Sequence, residues 1–194
     1  MLSIKTYPGL VDTAHFLSIE EVEKVHKYAE KLTFEPGTTH GGMGPNPVEG
    51  EVAIRSCNVK WIDPSEEIHW LFKGIHEEIT FVNTNYFHYD LLSTESLQYT
   101  VYNENSSWYG QHNDVFPLAA LHRKISFTVQ LSDDDEYEGG DLLIYPHSFK
   151  RPHQAQRKKG SITIFQSNLI HEVTPVTKGV RKSLVGWFSG PPLK

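Results

Sequence analysis

The second half of the chain constrains the fold most. Short stretches of alternating apolar and polar residues follow one another there, with turn residues between them. Ser96–Tyr102, Lys124–Ser132, Gly140–Tyr145, Ser161–Gln166, Glu172–Val176 and Lys182–Phe188 each read as a strand. Alternation with a period of two sends successive side chains to opposite faces of a sheet. Many short strands of this kind close their edges in a sandwich, barrel or jelly roll.

The first half has a different rhythm. Ser18 with Glu21 three residues later is a capping-box signature, and Ile19, Val22, Val25, Ala29 and Leu32 follow at helical spacing. Val52 to Trp61 reads as a strand. Asp63-Pro64 predicts the start of a second helix with Pro64 in its first turn. Ile68, Leu71, Phe72, Ile75 and Ile79 give that helix an apolar stripe, which ends near Phe81. From Glu35 to Gly50 the chain is rich in Gly and Pro, as suits either a lid or a plain connection. Two helices ahead of many strands predict an α+β fold, with the helices on one outer face of a β-sandwich or jelly roll. A length of 194 residues suits a single domain, 1–194.

The formal net charge of -6 disfavours a nucleic-acid partner, whose binding surface should be basic. The stretch from Lys150-Arg151 to Arg157-Lys158-Lys159 is the local exception. It reads either as a solvated hairpin or as a lip that attracts an acidic substrate. No window approaches the roughly 18 apolar residues of a membrane span, so no membrane partner is expected. Met1 to Lys5 lacks the apolar core of a signal peptide. Cys57 is the only cysteine, which rules out an intrachain disulfide and a thiolate zinc cluster. A cytoplasmic location is expected, and the sequence does not specify an oligomeric state.

Eleven histidines stand against that one cysteine, so the ligands of any metal site should be imidazole and carboxylate. A non-haem Fe(II) site needs two imidazoles and one carboxylate on one side of the ion, with the other side open. His112-Asn113-Asp114 supplies two ligands if both lie on a strand, where residues i and i+2 point the same way. His88-Tyr89-Asp90 and His76-Glu77-Glu78 have the same form. His76 and Glu78 fall on a helix, where i and i+2 diverge, and His88 in its aromatic run reads as a packed core residue. His171 leads into a strand, and Arg181 lies ten residues later. A dicarboxylate needs a cation at the far end of its pocket, and the planar fork of Arg grips carboxylate with two bonds. His147 and Arg157 have the same spacing, but Arg157 opens a turn-like Arg-Lys-Lys-Gly and should point to solvent.

These pieces, in order, resemble the prolyl 4-hydroxylase-like branch of the Fe(II)/2-oxoglutarate dioxygenases, and within it the bacterial and phage PKHD-type hydroxylases. The resembling stretches are Gln98 to Tyr102, Trp108 to Asp114, Leu131 to Leu142 and His171 to Arg181. The resemblance implies a double-stranded β-helix (jelly roll) with iron at its open mouth. It implies His112, Asp114 and His171 as the metal ligands and Arg181 as the partner of the 2-oxoglutarate C5 carboxylate. Tyr102 and Ser183 are implied as further co-substrate contacts, and Tyr109 as a substrate neighbour or a packed wall residue. Gly139-Gly140 would allow close backbone packing where the chain re-enters the sheet.

The implied cofactors are Fe(II), 2-oxoglutarate and O₂, with ascorbate a candidate reductant. The implied activity is hydroxylation of a C–H bond, first in a peptidyl proline or other protein residue. A hydroxylase of a free amino acid or small metabolite is the alternative enzyme, and a non-catalytic jelly-roll binding module the alternative of another class. Two departures stand out. Many relatives carry a glycine between the two tyrosines, where this chain has Asn103 to Ser107, and many PKHD-type relatives continue further past the arginine strand.

Overall fold

The computed structural model describes residues 3–37, 55–104, 107–115, 122–146 and 151–192. Most of the 35–50 loop, most of 115–122, His147 and Lys150 lie outside those residues.

The described strands form two antiparallel sheets. The larger has the order Ile4–Tyr7, Leu10–Thr13, Ile162–Gln166, His122–Gln130, Val176–Gly190, Leu97–Asn103, Asn58–Ile62, Glu35–Pro36. The smaller has the order His153–Gln154, Leu142–Tyr145, Ile170–Val173, Trp108–His112, Arg55–Ser56. From Leu97 onward the main strands alternate between the two sheets as the chain advances. That winding is the jelly roll expected from the sequence, and the fold matches the α+β class.

Period-two alternation divides the larger sheet into two chemically distinct faces. Tyr99, Val101, Ile125, Phe127, Val129 and Leu184 join the helix residues Val22, Val25, Leu71, Ile75 and Ile79 in one buried cluster. The intervening positions Gln98, Tyr102, Thr128, Arg181 and Ser183 line a cavity between the sheets. The helices therefore cover the outer face with apolar contacts, while the inner face combines polar side chains with a second apolar cluster that includes Leu10, Val59, Phe165, Leu142 and Ile144.

The first helix, Ile19–Glu30, begins where the capping box placed it. Ser18 Oγ accepts from the Glu21 backbone N–H, and Glu21 returns the bond to the Ser18 N–H at 2.8 Å. The second helix differs from expectation. It runs His69–Val82 and starts on Ile68 with no side-chain cap. Ser65–Ile68 form a turn instead, closed by the Ile68 N–H on Ser65 O, and Pro64 lies just before it. A single turn of π-helix, Asn83–Phe87, follows and ends on His88 in the left-handed region at φ 59. His88 is exposed rather than packed in the core, because it caps this turn.

Three expected strands also shift. The stretch from Val52 to Trp61 splits at Cys57 into Arg55–Ser56 in the smaller sheet and Asn58–Ile62 in the larger, with 52–54 outside the described residues. The strand expected at Glu172–Val176 runs Ile170–Val173 and stops before Pro175, which has no N–H to give a ladder. The last strand is twice as long as expected, Val176–Gly190, because Gly179 at φ 73 sits inside it rather than in a turn. Among the described residues no helix is long and apolar enough to cross a membrane.

Candidate metal centre

His112 is the last residue of its strand and His171 lies in the neighbouring one, and their Cα atoms are direct partners across the ladder. The ring centroids are 4.2 Å apart. Asp114 lies just beyond the strand, so strand parity does not aim it. Its N–H donates to Ser167 O at 2.9 Å, which folds the chain end toward the larger sheet. The one-ligand-atom-each group of His112, Asp114 and His171 spans no more than 4.8 Å. No second group of three such side chains occurs among the described residues.

The donor set fits a divalent ion. His112 Nε2 lies 3.6 Å from Asp114 Oδ1, and His171 Nε2 lies 3.5 Å from Oδ2. Ligands at about 2.0–2.2 Å from one ion have edges of this size. The Nδ1 atoms are already used: His112 Nδ1 bonds Gly110 O at 2.7 Å, and His171 Nδ1 bonds Leu169 O at 3.0 Å. A carbonyl accepts only from a protonated nitrogen, so each neutral ring presents its bare Nε2 to the centre. Burial, then the His171 charge, pushes the His112 pKa down to about 4, which keeps it neutral and ready to ligate. Burial opposes ionisation of Asp114. The two histidines and hydrogen bonds from Ser126 and Trp187 outweigh it and hold the carboxyl below its ordinary range.

The triad opens on a cavity of about 380 Å³, with Arg181, Tyr102 and Ser183 in its wall. Arg181 is buried. Its Nη2 donates to Gln130 Oε1 at 3.1 Å and its Nη1 to Ser183 Oγ at 3.4 Å, and its guanidinium lies 5.4 Å from the Tyr102 ring. Gln130 is set in turn by donating to the Tyr137 hydroxyl at 2.6 Å. Burial raises the Tyr102 pKa, so this phenol stays protonated and can donate. Thr100 is the Cα partner of Ser183, and its Oγ1 is the one buried side-chain polar atom among the described residues without a hydrogen-bond partner.

Tyr109 lies against His112, with centroids 3.6 Å apart and planes 14° from parallel, and it also lines the cavity. It is thus both a wall residue and a cavity residue. Arg55, which the sequence did not single out, is its Cα partner and places its guanidinium 4.7 Å from the Tyr109 ring. Ser126, Trp187, Gln130 and Thr100 were missed as well. Trp187 was accessible in principle, since 181, 183, 185 and 187 share one face of one strand. Arg157 is a correction. It does not point to solvent but donates to Gly139 O and Tyr137 O, each at 2.8 Å, so it clamps the glycine turn and stays out of the cavity wall. Gly139 and Gly140 behave as expected. Both have positive φ, and a Cβ would fall 2.1 Å from Pro175 O at Gly139 and 3.1 Å from Arg181 Cδ at Gly140.

Residues 97–189 match the model of the 2OG-Fe(II) oxygenase superfamily. A PKHD-type hydroxylase of Idiomarina loihiensis is 36% identical over 84 residues, which is 43% of this chain and 38% of that protein. One of Synechococcus sp. is 38% identical over 85 residues, 44% of this chain and 38% of that protein. The chain thus spans about two fifths of the length of these curated relatives. Among solved structures, a Pseudomonas putida prolyl-4-hydroxylase superposes with a TM-score of 0.70 at 24% identity, covering 95% of this chain and 94% of its own. A Trichoplax adhaerens prolyl hydroxylase, solved with a hypoxia inducible factor peptide fragment, gives 0.75 at 20%, covering 93% and 83%. Residues 97–189, just under half of the chain, are thus similar to the 2OG-Fe(II) oxygenase superfamily, and the fold is that of the two prolyl hydroxylase structures. The cofactors of that family are Fe(II), 2-oxoglutarate and O₂.

Proposed function

We propose that this chain is an Fe(II)- and 2-oxoglutarate-dependent hydroxylase whose substrate is a peptidyl proline or another protein residue. The observation that carries the reading is the bare Nε2 pair of His112 and His171 converging with Asp114 at the mouth of a cavity that has Arg181 in its wall. The peptide preference rests on the relatives, which are named PKHD-type hydroxylases, and on a neighbouring structure that contains a peptide.

In this reading His112, Asp114 and His171 hold the metal. When bound, iron with 2-oxoglutarate supplies O₂-dependent oxidation of a C–H bond, coupled to decarboxylation of the co-substrate to succinate. Arg181 grips the C5 carboxylate, with Ser183 and Tyr102 donating around it, and Gln130 keeps the guanidinium aimed. Tyr109 forms the wall past which the substrate C–H approaches. Burial of these groups excludes water from the reacting centre. Residues 1–194 act as one unit.

The test is succinate formation by the metal-loaded protein, with and without a panel of proline peptides and free amino acids. Iron- and O₂-dependent succinate, accelerated by a proline peptide that gains one oxygen in mass, supports the proposal. Acceleration by a free amino acid alone moves the substrate to small molecules. Failure to bind 2-oxoglutarate overturns the reading.

A further inference from the structure

Neither Gln130 nor Tyr137 lines the cavity, yet both stand behind the arginine that does. Arg181, Gln130 and Tyr137 are each only 3% exposed. The Gln130 amide is used at both ends. Its Oε1 accepts from Arg181 Nη2 at 3.1 Å, and its Nε2 donates to the Tyr137 hydroxyl at 2.6 Å. The Gln130 backbone is pinned as well, its N–H donating to Ser161 O at 2.9 Å and its carbonyl accepting from the Gly160 N–H at 2.8 Å. Tyr137 arrives on the short strand Tyr137–Gly139, set against Gly179 of the long strand that carries Arg181. Gly179 allows that approach, since a Cβ there would fall 3.1 Å from Tyr137 Cα. Gly140 lies between the ring and the arginine stem. A Cβ there would fall 3.3 Å from Tyr137 Cδ2 and 3.1 Å from Arg181 Cδ. The ring belongs to the apolar cluster that holds Leu142 and Val176, which fixes where its hydroxyl points.

We infer that Tyr137 is a positioning residue for the co-substrate, acting through Gln130 to hold the Arg181 guanidinium in one place and so favour a five-carbon 2-oxo dicarboxylate over a longer one. This rests on the co-substrate reading above. An amide side chain has one accepting and one donating end, while a guanidinium only donates. Gln130 therefore supports Arg181 only with Oε1 turned inward. Turned over, its NH₂ would meet a guanidinium N–H, donor against donor. The Tyr137 hydroxyl, by accepting from Nε2, selects the supporting orientation. Ser183 Oγ takes the other arm of the fork at 3.4 Å, and the Tyr102 ring lies beside it at 5.4 Å. A guanidinium held on three sides does not follow a carboxylate that ends one methylene away, because moving breaks its own bonds. Support from behind the wall thus becomes a measure of ligand length.

The test is calorimetric titration of 2-oxoglutarate and of 2-oxoadipate into Co(II)-loaded wild-type protein, Tyr137→Phe, Gln130→Met and the double variant. Tyr137→Phe keeps the ring and removes only the hydroxyl. It should weaken 2-oxoglutarate binding by about fivefold, the size of one net hydrogen bond. Binding of 2-oxoadipate should fall less, and Co(II) affinity should stay at the wild-type value. Gln130→Met removes both bonds of the amide and should lose more. The double variant should lose no more than Gln130→Met alone, because the hydroxyl acts through the amide. Losses that add in the double variant, or that strike both acids alike, are those of a merely structural residue and overturn the inference. Unchanged 2-oxoglutarate affinity in folded Tyr137→Phe overturns it too. If Tyr137→Phe does not fold, Gln130→Met decides, and an unaltered preference for 2-oxoglutarate over 2-oxoadipate counts against the inference. All these outcomes leave the co-substrate reading standing. Wild-type protein that takes Co(II) but binds neither acid overturns both.

Discussion

His112 and His171 face one another across an antiparallel ladder, and each ties its Nδ1 to the backbone carbonyl two residues before it. The same local device, used on both strands, turns both free nitrogens to one point.

Loss of either ring should therefore remove the centre without unfolding the sheet. His171→Ala is expected to lose metal binding by more than a hundredfold and to make no succinate. The fold, followed by far-ultraviolet dichroism, should persist, because the helix-covered core does not involve this residue. Retention of a tight ion by His171→Ala would place the metal elsewhere.

The His112 pKa, pushed down to about 4 by burial and the His171 charge, makes metal-free stability depend on pH. The unfolded chain binds this proton near the ordinary value of 6.5, the folded chain only near 4. The contribution is fully present above pH 6.5 and is lost progressively as pH falls toward 4. Urea midpoints of metal-free protein should fall across that window, and less steeply in His112→Asn. A His112 proton resonance titrating near 6.5 in the folded protein would contradict this.

Arg181→Ala should weaken 2-oxoglutarate binding while leaving metal affinity nearly intact. Removing a desolvated charge-assisted partner costs on the order of ~2–5 kcal/mol. Calorimetric titration of co-substrate into metal-loaded variants measures this. Arg157→Gln is the control, since Arg157 clamps the glycine turn instead of lining the cavity. An equal loss in both variants would mean that Arg181 is not the specific partner.

Gly140→Ala should act on stability and binding together. The left-handed backbone at φ +62 costs a side-chain-bearing residue about 1–2 kcal/mol. The added methyl also meets Val176 Cγ2 at 2.9 Å and Arg181 Cδ at 3.1 Å, so both side chains must shift. A lower melting temperature with unchanged 2-oxoglutarate affinity would show that Arg181 adapts without cost.

Much of this was legible in the sequence where the signal is local. The Ser18–Glu21 capping box started the first helix correctly because cap and helix lie within one turn. His112, Asp114, His171 and Arg181 were singled out from order and spacing, and the fold brings them to one cavity. Pro64 misled the second helix start, since a proline suits a turn as well as a first helical turn. Arg55 and Ser126 are brought to the site by pairing across the ladder with Tyr109 and Trp187. Pairing between strands that far apart in the chain leaves no local trace in one sequence.

The two-faced character of the strand Val176–Gly190 has a consequence for folding. Arg181, Ser183, Val185 and Trp187 line the cavity, while Leu184 packs with the helices. A register slip of one residue exchanges those faces. It would turn the Arg181 guanidinium to the helix-covered face and put Val180 or Lys182 where Arg181 faces the cavity. Such a slipped sheet cannot bury its core, so it has no stable misassembled form that merely lacks the centre. Reaching the native register therefore buries the helix-covered core and turns Arg181, Ser183 and Trp187 to the cavity in one step.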